Sequence, residues 1–156
     1  MKRVWLLVLL AFLLWTLMFS PWTAPFLPFW WMMTVSASLL TFLSSLVAPG
    51  WWRRVHWSAS NVAMGIGIAI VLWCVFWVGD KAWLFDFARP QVNLIYGMKT
   101  GESPLLISSL LLCLIGPAEE IFWRGYVQEK FSLRYSPNVG FLLATACYTL
   151  VHVASF

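Results

Sequence analysis

Five apolar stretches, separated by polar or proline-containing segments, divide the chain. A helix needs about 20 predominantly apolar residues to cross a hydrocarbon core of ~30 Å. Stretches that approach or exceed this length lie at residues 4–19, 30–47, 61–78, 105–131 and 139–156. The pattern therefore predicts an all-α fold, a multispanning transmembrane bundle of about five helices.

The segments between the stretches carry helix-ending residues and interfacial side chains. Three prolines between residues 21 and 28 break the chain after the first stretch, and Pro49-Gly50 ends the second. Residues 51–57, rich in tryptophan and arginine, are typical of a loop at the headgroup level. Residues 79–103 form the longest polar connection, and Ser103-Pro104 predicts the start of the fourth helix.

Composition supports a membrane protein. The chain is 62% hydrophobic and 10% charged, with a mean hydropathy of +0.81, whereas soluble domains are about 45–50% apolar and about 25% charged. The net charge of +4 comes from residues flanking the helices and does not indicate a nucleic-acid partner. Cys74, Cys113 and Cys147 fall within apolar runs, where we expect buried packing residues.

The distribution of cations predicts a multi-pass protein of the cell membrane with a cytoplasmic amino terminus. With the first stretch retained as a helix, the cytoplasmic segments hold Lys2, Arg3, Arg53, Arg54, Lys130 and Arg134. The outer loop then holds Lys81, Arg89 and Lys99. Six cations against three favour this orientation.

The fourth stretch contains two adjacent carboxylates, Glu119 and Glu120, which point to a polar cavity. A charged side chain at the centre of a transmembrane helix costs about 2.5–3.5 kcal/mol or more. Neighbours on a helix point about 100° apart, so the two acids face different directions. Glu120 is four residues before Arg124, the favourable spacing for an ion pair, whereas Glu119 has no cation on its own face. Pro117 predicts a loosened turn just before Glu119.

The fifth stretch carries a histidine, His152, four residues after Tyr148 and on the same helical face. At 1.5 Å per residue, His152 lies roughly 20 Å from the inner boundary of its helix. Glu119 lies a similar distance from the outer boundary, and therefore deeper toward the cytoplasm. The two residues are level only if the fourth helix starts beyond the hydrocarbon or the fifth begins below it.

These residues together resemble the CPBP/Abi membrane proteases, a family related to the type II CAAX prenyl endopeptidases. The family's first motif, EExxxR, is matched by Glu119, Glu120 and Arg124. Its second motif, FxxxH, is matched by His152 with Tyr148 replacing the phenylalanine. A third motif, histidine followed four residues later by asparagine or a similar residue, has no counterpart before Phe156. We therefore expect this chain to be an incomplete, inactive fragment of such an enzyme.

The resemblance covers residues 104–156 and implies a division of the chain. Residues 1–103 would supply three helices and the outer loop, and residues 104–156 a partial protease core. The implied activity is that of an intramembrane endopeptidase cutting a peptide or protein substrate at the membrane. Glu119 would activate the attacking water and His152 would bind or polarise it, while Glu120 and Arg124 would hold the site in place.

Two questions stay open at this stage. A Zn²⁺ ion bound by Glu119 and His152 would make the enzyme a metallopeptidase, although catalytic zinc usually has three protein ligands. The function could also belong to another class. A proton-coupled transporter could use the same two residues as a relay, and a non-catalytic assembly or immunity protein could use them to pack its helices.

Overall fold

A computed structural model describes residues 1–20, 22, 23, 26, 28–50, 58–90, 93, 97 and 102–153. Its helices are α1 (Lys2–Phe19), α2 (Phe29–Val47), α3 (Ala59–Lys81), α4 (Pro104–Arg134) and α5 (Pro137–Val153). No strand occurs among the described residues, so the predicted all-α fold is confirmed. The loop predicted at 51–57, which contains His56, lies outside the described residues.

The first four helices are long and apolar enough to cross a membrane, and α5 is a shorter apolar helix of 17 described residues. Their outward faces carry leucine, isoleucine, valine and phenylalanine, a pattern that suits contact with lipid. The chain is therefore a multi-pass membrane protein.

The chain divides into two compact units, Met1–Trp51 with Glu102–Phe156, and Trp52–Gly101. In the first unit, α1 packs against α2 and α5, α2 packs against α4, and the second half of α4 packs against α5. Large side chains fill its main core: Trp15, Leu40, Phe122, Trp123, Phe131 and Val151. The sequence-based division at residues 103 and 104 concerns where the motifs lie and stays a prediction.

The second unit contains α3 and the turn that follows it. The Ser58 hydroxyl accepts a hydrogen bond from the Asn61 N–H and caps the helix. α3 continues to Lys81, two residues past the predicted start of the polar connection at residue 79. Arg89 contacts Asp80 at 3.0 Å and Asp86 at 2.6 Å, so both carboxylates in this turn serve a salt bridge.

α4 is irregular on both sides of Pro117, and the irregularity before it is the one that the proline predicted. Residues Leu111–Ile115 and Ile121–Gln128 are π-helical, with wider turns than an α-helix. The Gly116 N–H bonds to the Leu111 carbonyl five residues back, and a Cβ on Gly116 would lie 2.8 Å from that oxygen. The loosened turn before Glu119 is therefore confirmed. Ser103 precedes the helix as expected, but its side chain makes no capping hydrogen bond.

The cysteine prediction was wrong for two of the three residues. Cys147 is buried in the core, whereas Cys74 and Cys113 are exposed on their helices. An apolar run predicts burial only where water is the alternative solvent. On a membrane helix, the face turned to lipid is as apolar as the face turned to the core.

Gly140 sets the distance between α4 and α5. A Cβ on Gly140 would lie 2.6 Å from the Ser132 Cα and would also collide with the Ser132 hydroxyl. The backbones of the two helices are thus in contact here, and only glycine leaves the space. Such close approach is the usual basis of helix association in membranes.

Replacing Gly140 with alanine should push the two helices apart and destabilise the bundle by about 1–3 kcal/mol, the usual cost of overpacking. Unfolding of the purified protein in detergent, followed by circular dichroism, measures the change. Gly125→Ala is the matched control, since a Cβ there would lie 3.9 Å from the Glu120 carbonyl oxygen, an ordinary contact. Equal stability of the two variants would contradict the close approach.

Candidate functional site

The pairing of α4 with α5 brings together the segments that carry the two motifs. The short connection from Arg134 to Pro137 makes these helices antiparallel neighbours. Ser132 meets Gly140 at one end of the interface. Further along, the rings of Trp123 and Tyr148 meet with their centroids 5.5 Å apart. Counting one more turn on each helix, four residues back on α4 and four forward on α5, we infer that Glu119 lies near the level of His152.

This register bears on the question of depth left by the sequence. Trp123 shares a helical face with Glu119, and Tyr148 shares one with His152, so the faces that carry the acid and the imidazole are turned toward each other. Of the two arrangements that would make the residues level, a fourth helix reaching past the hydrocarbon agrees with the 31 residues of α4.

Glu119 is partly enclosed by the apolar wall of the bundle. One carboxylate oxygen, Oε1, is buried and has no hydrogen-bond partner among the described residues. The neighbouring Phe122 and Trp123 are each about 1% exposed. A buried polar atom without a protein partner is normally satisfied by water. The position therefore suits a carboxyl group that works on a water molecule.

The His152 ring is held from two sides. Its centroid lies 4.1 Å from the Tyr148 ring and 5.4 Å from the Trp15 ring of α1. Its Nδ1 lies 2.8 Å from the Tyr148 carbonyl oxygen. A carbonyl can only accept, so Nδ1 carries the proton, and in the neutral ring Nε2 carries the lone pair. The nitrogen that can accept a hydrogen bond or bind a metal is thus Nε2.

Arg124 connects the two motifs. Its Nε lies 3.7 Å from the Glu120 Oε2, which confirms the expected i, i+4 ion pair. The pair lies at the surface of the bundle, since the side chains of Arg124 and Glu120 are 50% and 63% exposed. The guanidinium also lies 5.3 Å from the Tyr148 ring centroid, a cation–π contact to the face of that aromatic ring. Arg124 is thus shared between Glu120 and Tyr148.

Sequence reasoning missed Thr41 of α2. Its hydroxyl donates a 2.7 Å hydrogen bond to the carbonyl of Ala118, the residue just before Glu119. This bond ties the irregular part of α4 to a neighbouring helix. A signal was available in the sequence, because hydroxyl residues recur along one face of α2 at helical spacing: Thr34, Ser38, Thr41 and Ser45. Trp15, also missed, has no such signal among the many tryptophans.

The described residues do not complete a usual zinc site. Nowhere in them do three or more His, Cys, Asp or Glu side chains come together in a group that could hold a metal ion. Glu119 and His152 would supply two ligands, one fewer than catalytic zinc normally takes from a protein. The donor set therefore does not fit zinc by itself, and zinc binding stays a prediction.

Comparison with known proteins supports the resemblance on the same segment. Residues 101–156 match the family model described as type II CAAX prenyl endopeptidase Rce1-like. The matched segment contains both motifs and begins within three residues of the predicted start at 104. No curated protein and no solved structure matched the chain. The suspected relation of this segment to the CAAX-type membrane proteases is thereby confirmed.

Removing the Thr41 hydroxyl should loosen the turn that carries Glu119. We expect Thr41→Val to destabilise the protein by about 0.5–1.5 kcal/mol, the net value of one hydrogen bond, and Thr41→Ser to restore it. Thr16→Val is the control, since the Thr16 hydroxyl bonds only to the Phe12 carbonyl of its own helix at 2.8 Å. The measurement is thermal unfolding in detergent. If Thr41→Val and Thr16→Val lower the stability equally, the interhelical hydrogen bond of Thr41 stabilises the protein no more than a bond within one helix.

Proposed function

We propose that residues 104–156 form part of a CAAX-protease-like intramembrane endopeptidase, the full-length protein, in which Glu119 activates water for attack on a peptide bond. The observation that carries the proposal is the antiparallel contact of α4 with α5, made by Ser132 with Gly140 and by Trp123 with Tyr148. Its register supports a position of Glu119 near the level of His152. The family match to residues 101–156 supports a protease of this general class.

The chemistry follows from what each group can donate or accept. The lone pair on His152 Nε2 accepts a hydrogen bond from a water molecule and orients it, while the Glu119 carboxylate takes a proton from the same water. The water oxygen bonds to the scissile carbonyl carbon. When the carbon–nitrogen bond breaks, the proton passes from Glu119 to the departing amine. The products are a carboxylic acid and an amine, and Glu119 is again a carboxylate.

The neighbouring side chains would hold these two groups in place. Tyr148 accepts the His152 Nδ1–H through its backbone carbonyl and packs against the ring, which would leave Nε2 for the water. The Trp15 ring of α1 contacts the His152 ring edge to face and would restrict its rotation. Glu120 and Arg124 are positioning residues in this scheme, since Arg124 reaches from the acid motif to Tyr148.

The proposed substrate is a membrane-associated peptide or protein. The family name suggests a peptide ending in a prenylated CAAX sequence as the first probe. A bilayer would hold the lipid anchor of such a substrate beside α4 and α5. The proposed location is the cell membrane, with the amino terminus in the cytoplasm.

Glu119→Gln and His152→Ala should each lower cleavage of a farnesylated CAAX peptide by about 10²–10⁴-fold, the usual contribution of a general base or its partner. The assay uses the full-length protein in liposomes, with mass spectrometry of the products. Controls are Glu102→Gln, which removes a carboxylate before the start of α4, and His56→Ala, which removes the histidine of the predicted interfacial loop. Both should cleave like the unchanged protein.

Two outcomes would end the proposal. One is undiminished cleavage by both Glu119→Gln and His152→Ala. The other is a loss of activity in these variants that follows a matching loss of thermal stability, which would indicate that the carboxylate and imidazole serve packing. An unprenylated version of the same peptide tests the substrate class alone, since its equal cleavage would remove the prenyl group from the proposal without affecting the mechanism.

The proposed orientation has its own test. An epitope fused to the amino terminus should be digested by added protease in inverted membrane vesicles and protected in intact spheroplasts, because the positive-inside bias favours a cytoplasmic terminus. A periplasmic control protein checks that the spheroplasts are accessible and the vesicles sealed. Protection in inverted vesicles with digestion in spheroplasts would reverse the predicted topology.

A further inference from the structure

A cavity that Glu119 does not line lies at one end of the first unit. It has a volume of about 410 Å³ and opens at the surface. Its walls come from the first residues of α1, the last residue of α2 and the second half of α4, and they include Lys2, Arg3, Val47, Tyr126 and Lys130. The proposed mechanism uses none of these residues.

The cavity is strongly cationic. Lys2, Arg3 and Lys130 line it, and no acidic residue appears among its described lining residues. Three like charges around one space repel one another unless an anion balances them. These cations belong to two different helices, α1 and α4, so they approach the cavity from different sides and do not form one charged face of a single helix.

A buried hydroxyl lies in the same wall. The Tyr126 side chain is 3% exposed, and its hydroxyl has no hydrogen-bond partner among the described residues. Arg3 and Tyr126 line the same cavity. A buried phenol normally finds a partner. A phosphate oxygen in the cavity would accept from this hydroxyl and from the cations together.

The helix ends place the cavity at the edge of the membrane. It lies where α1 begins and α2 ends, so it is at the level where the chain leaves the hydrocarbon. Val4 and Val47 contribute apolar wall beside the cations. A ligand with a charged head and an apolar body would satisfy both kinds of surface, and basic pockets between transmembrane helices bind anionic lipid headgroups in this manner.

We propose that this cavity binds the phosphate of an anionic phospholipid headgroup, held by Arg3, Lys130 and the Tyr126 hydroxyl. The site is independent of the proposed peptidase activity. It would brace the start of α1 against α4.

Native mass spectrometry of the full-length protein tests the site, with phosphatidylglycerol and phosphatidylcholine of the same acyl chains offered in neutral detergent. We expect preferential retention of phosphatidylglycerol, and about fivefold weaker binding in Arg3→Gln, from the usual gain per cation near an anionic membrane surface. Arg134→Gln is the matched control. It removes the same charge one turn after Lys130 on α4, outside the cavity, where Arg134 lies over the Tyr135 ring.

A second pair of variants tests the hydroxyl. Tyr126→Phe should weaken phosphatidylglycerol retention, whereas Tyr135→Phe, at a tyrosine that is 58% exposed, should not. Thermal unfolding without lipid checks that each variant is folded. Should Tyr126→Phe fail this check, Arg3→Gln decides alone, because the Arg3 side chain is exposed and its removal leaves no gap in the core.

Three results would overturn the proposal. Equal retention of the two lipids would exclude recognition of the anionic headgroup. Equal losses in Arg3→Gln and Arg134→Gln would show that overall charge, and not the cavity, attracts the lipid. Stabilisation by millimolar inorganic phosphate as large as that by phosphatidylglycerol would assign the cavity to a soluble phosphate ligand.

Discussion

The backbone contact between Gly140 of α5 and Ser132 of α4 is the constraint on which the arrangement of the candidate site depends. Apolar surfaces gain little from meeting each other in lipid, so close packing of small residues sets where two helices touch. This contact and that of Trp123 with Tyr148 set their register, from which we infer that Glu119 lies near the level of His152. A slip of one turn would move the two groups apart by about 5.4 Å. Displacements far smaller than this are costly to reactions that need aligned groups.

Around this register, the irregular backbone of α4 is supported by its neighbours. Pro117 removes one backbone donor, and the π-helical turns on either side shift the hydrogen bonds of the helix. Non-regular backbone is tolerated at membrane depth where protein encloses it. The bond from Thr41 to the Ala118 carbonyl supplies part of that support from α2. The turn that carries Glu119 is therefore shaped by α2 and by its own proline together.

The sequence predicted the features that depend on local chemistry. Helix positions follow from apolar length, the loosened turn from Pro117, and the Glu120–Arg124 pair from its spacing. Features that depend on which helix faces which could not be predicted. Lipid-facing and core-facing positions are equally apolar, so neither the exposure of Cys113 nor the burial of Trp15 follows from composition. The level of Glu119 could not be counted from helix ends, because an error of a few residues at either end shifts the count by a full turn.

The helix α1 carries no charged residue beyond its first turn, yet it contributes to both polar regions of the first unit. Arg3 at its start lines the basic cavity with Tyr126, and Trp15 near its end packs on His152. Glu119 and Tyr126 lie seven residues apart on α4. Because α1 is one continuous helix, its contact with α4 at the membrane edge and its contact with α5 near His152 cannot move independently. The position of His152 therefore depends on the position of α1 in the bundle, as well as on the pairing of α4 with α5.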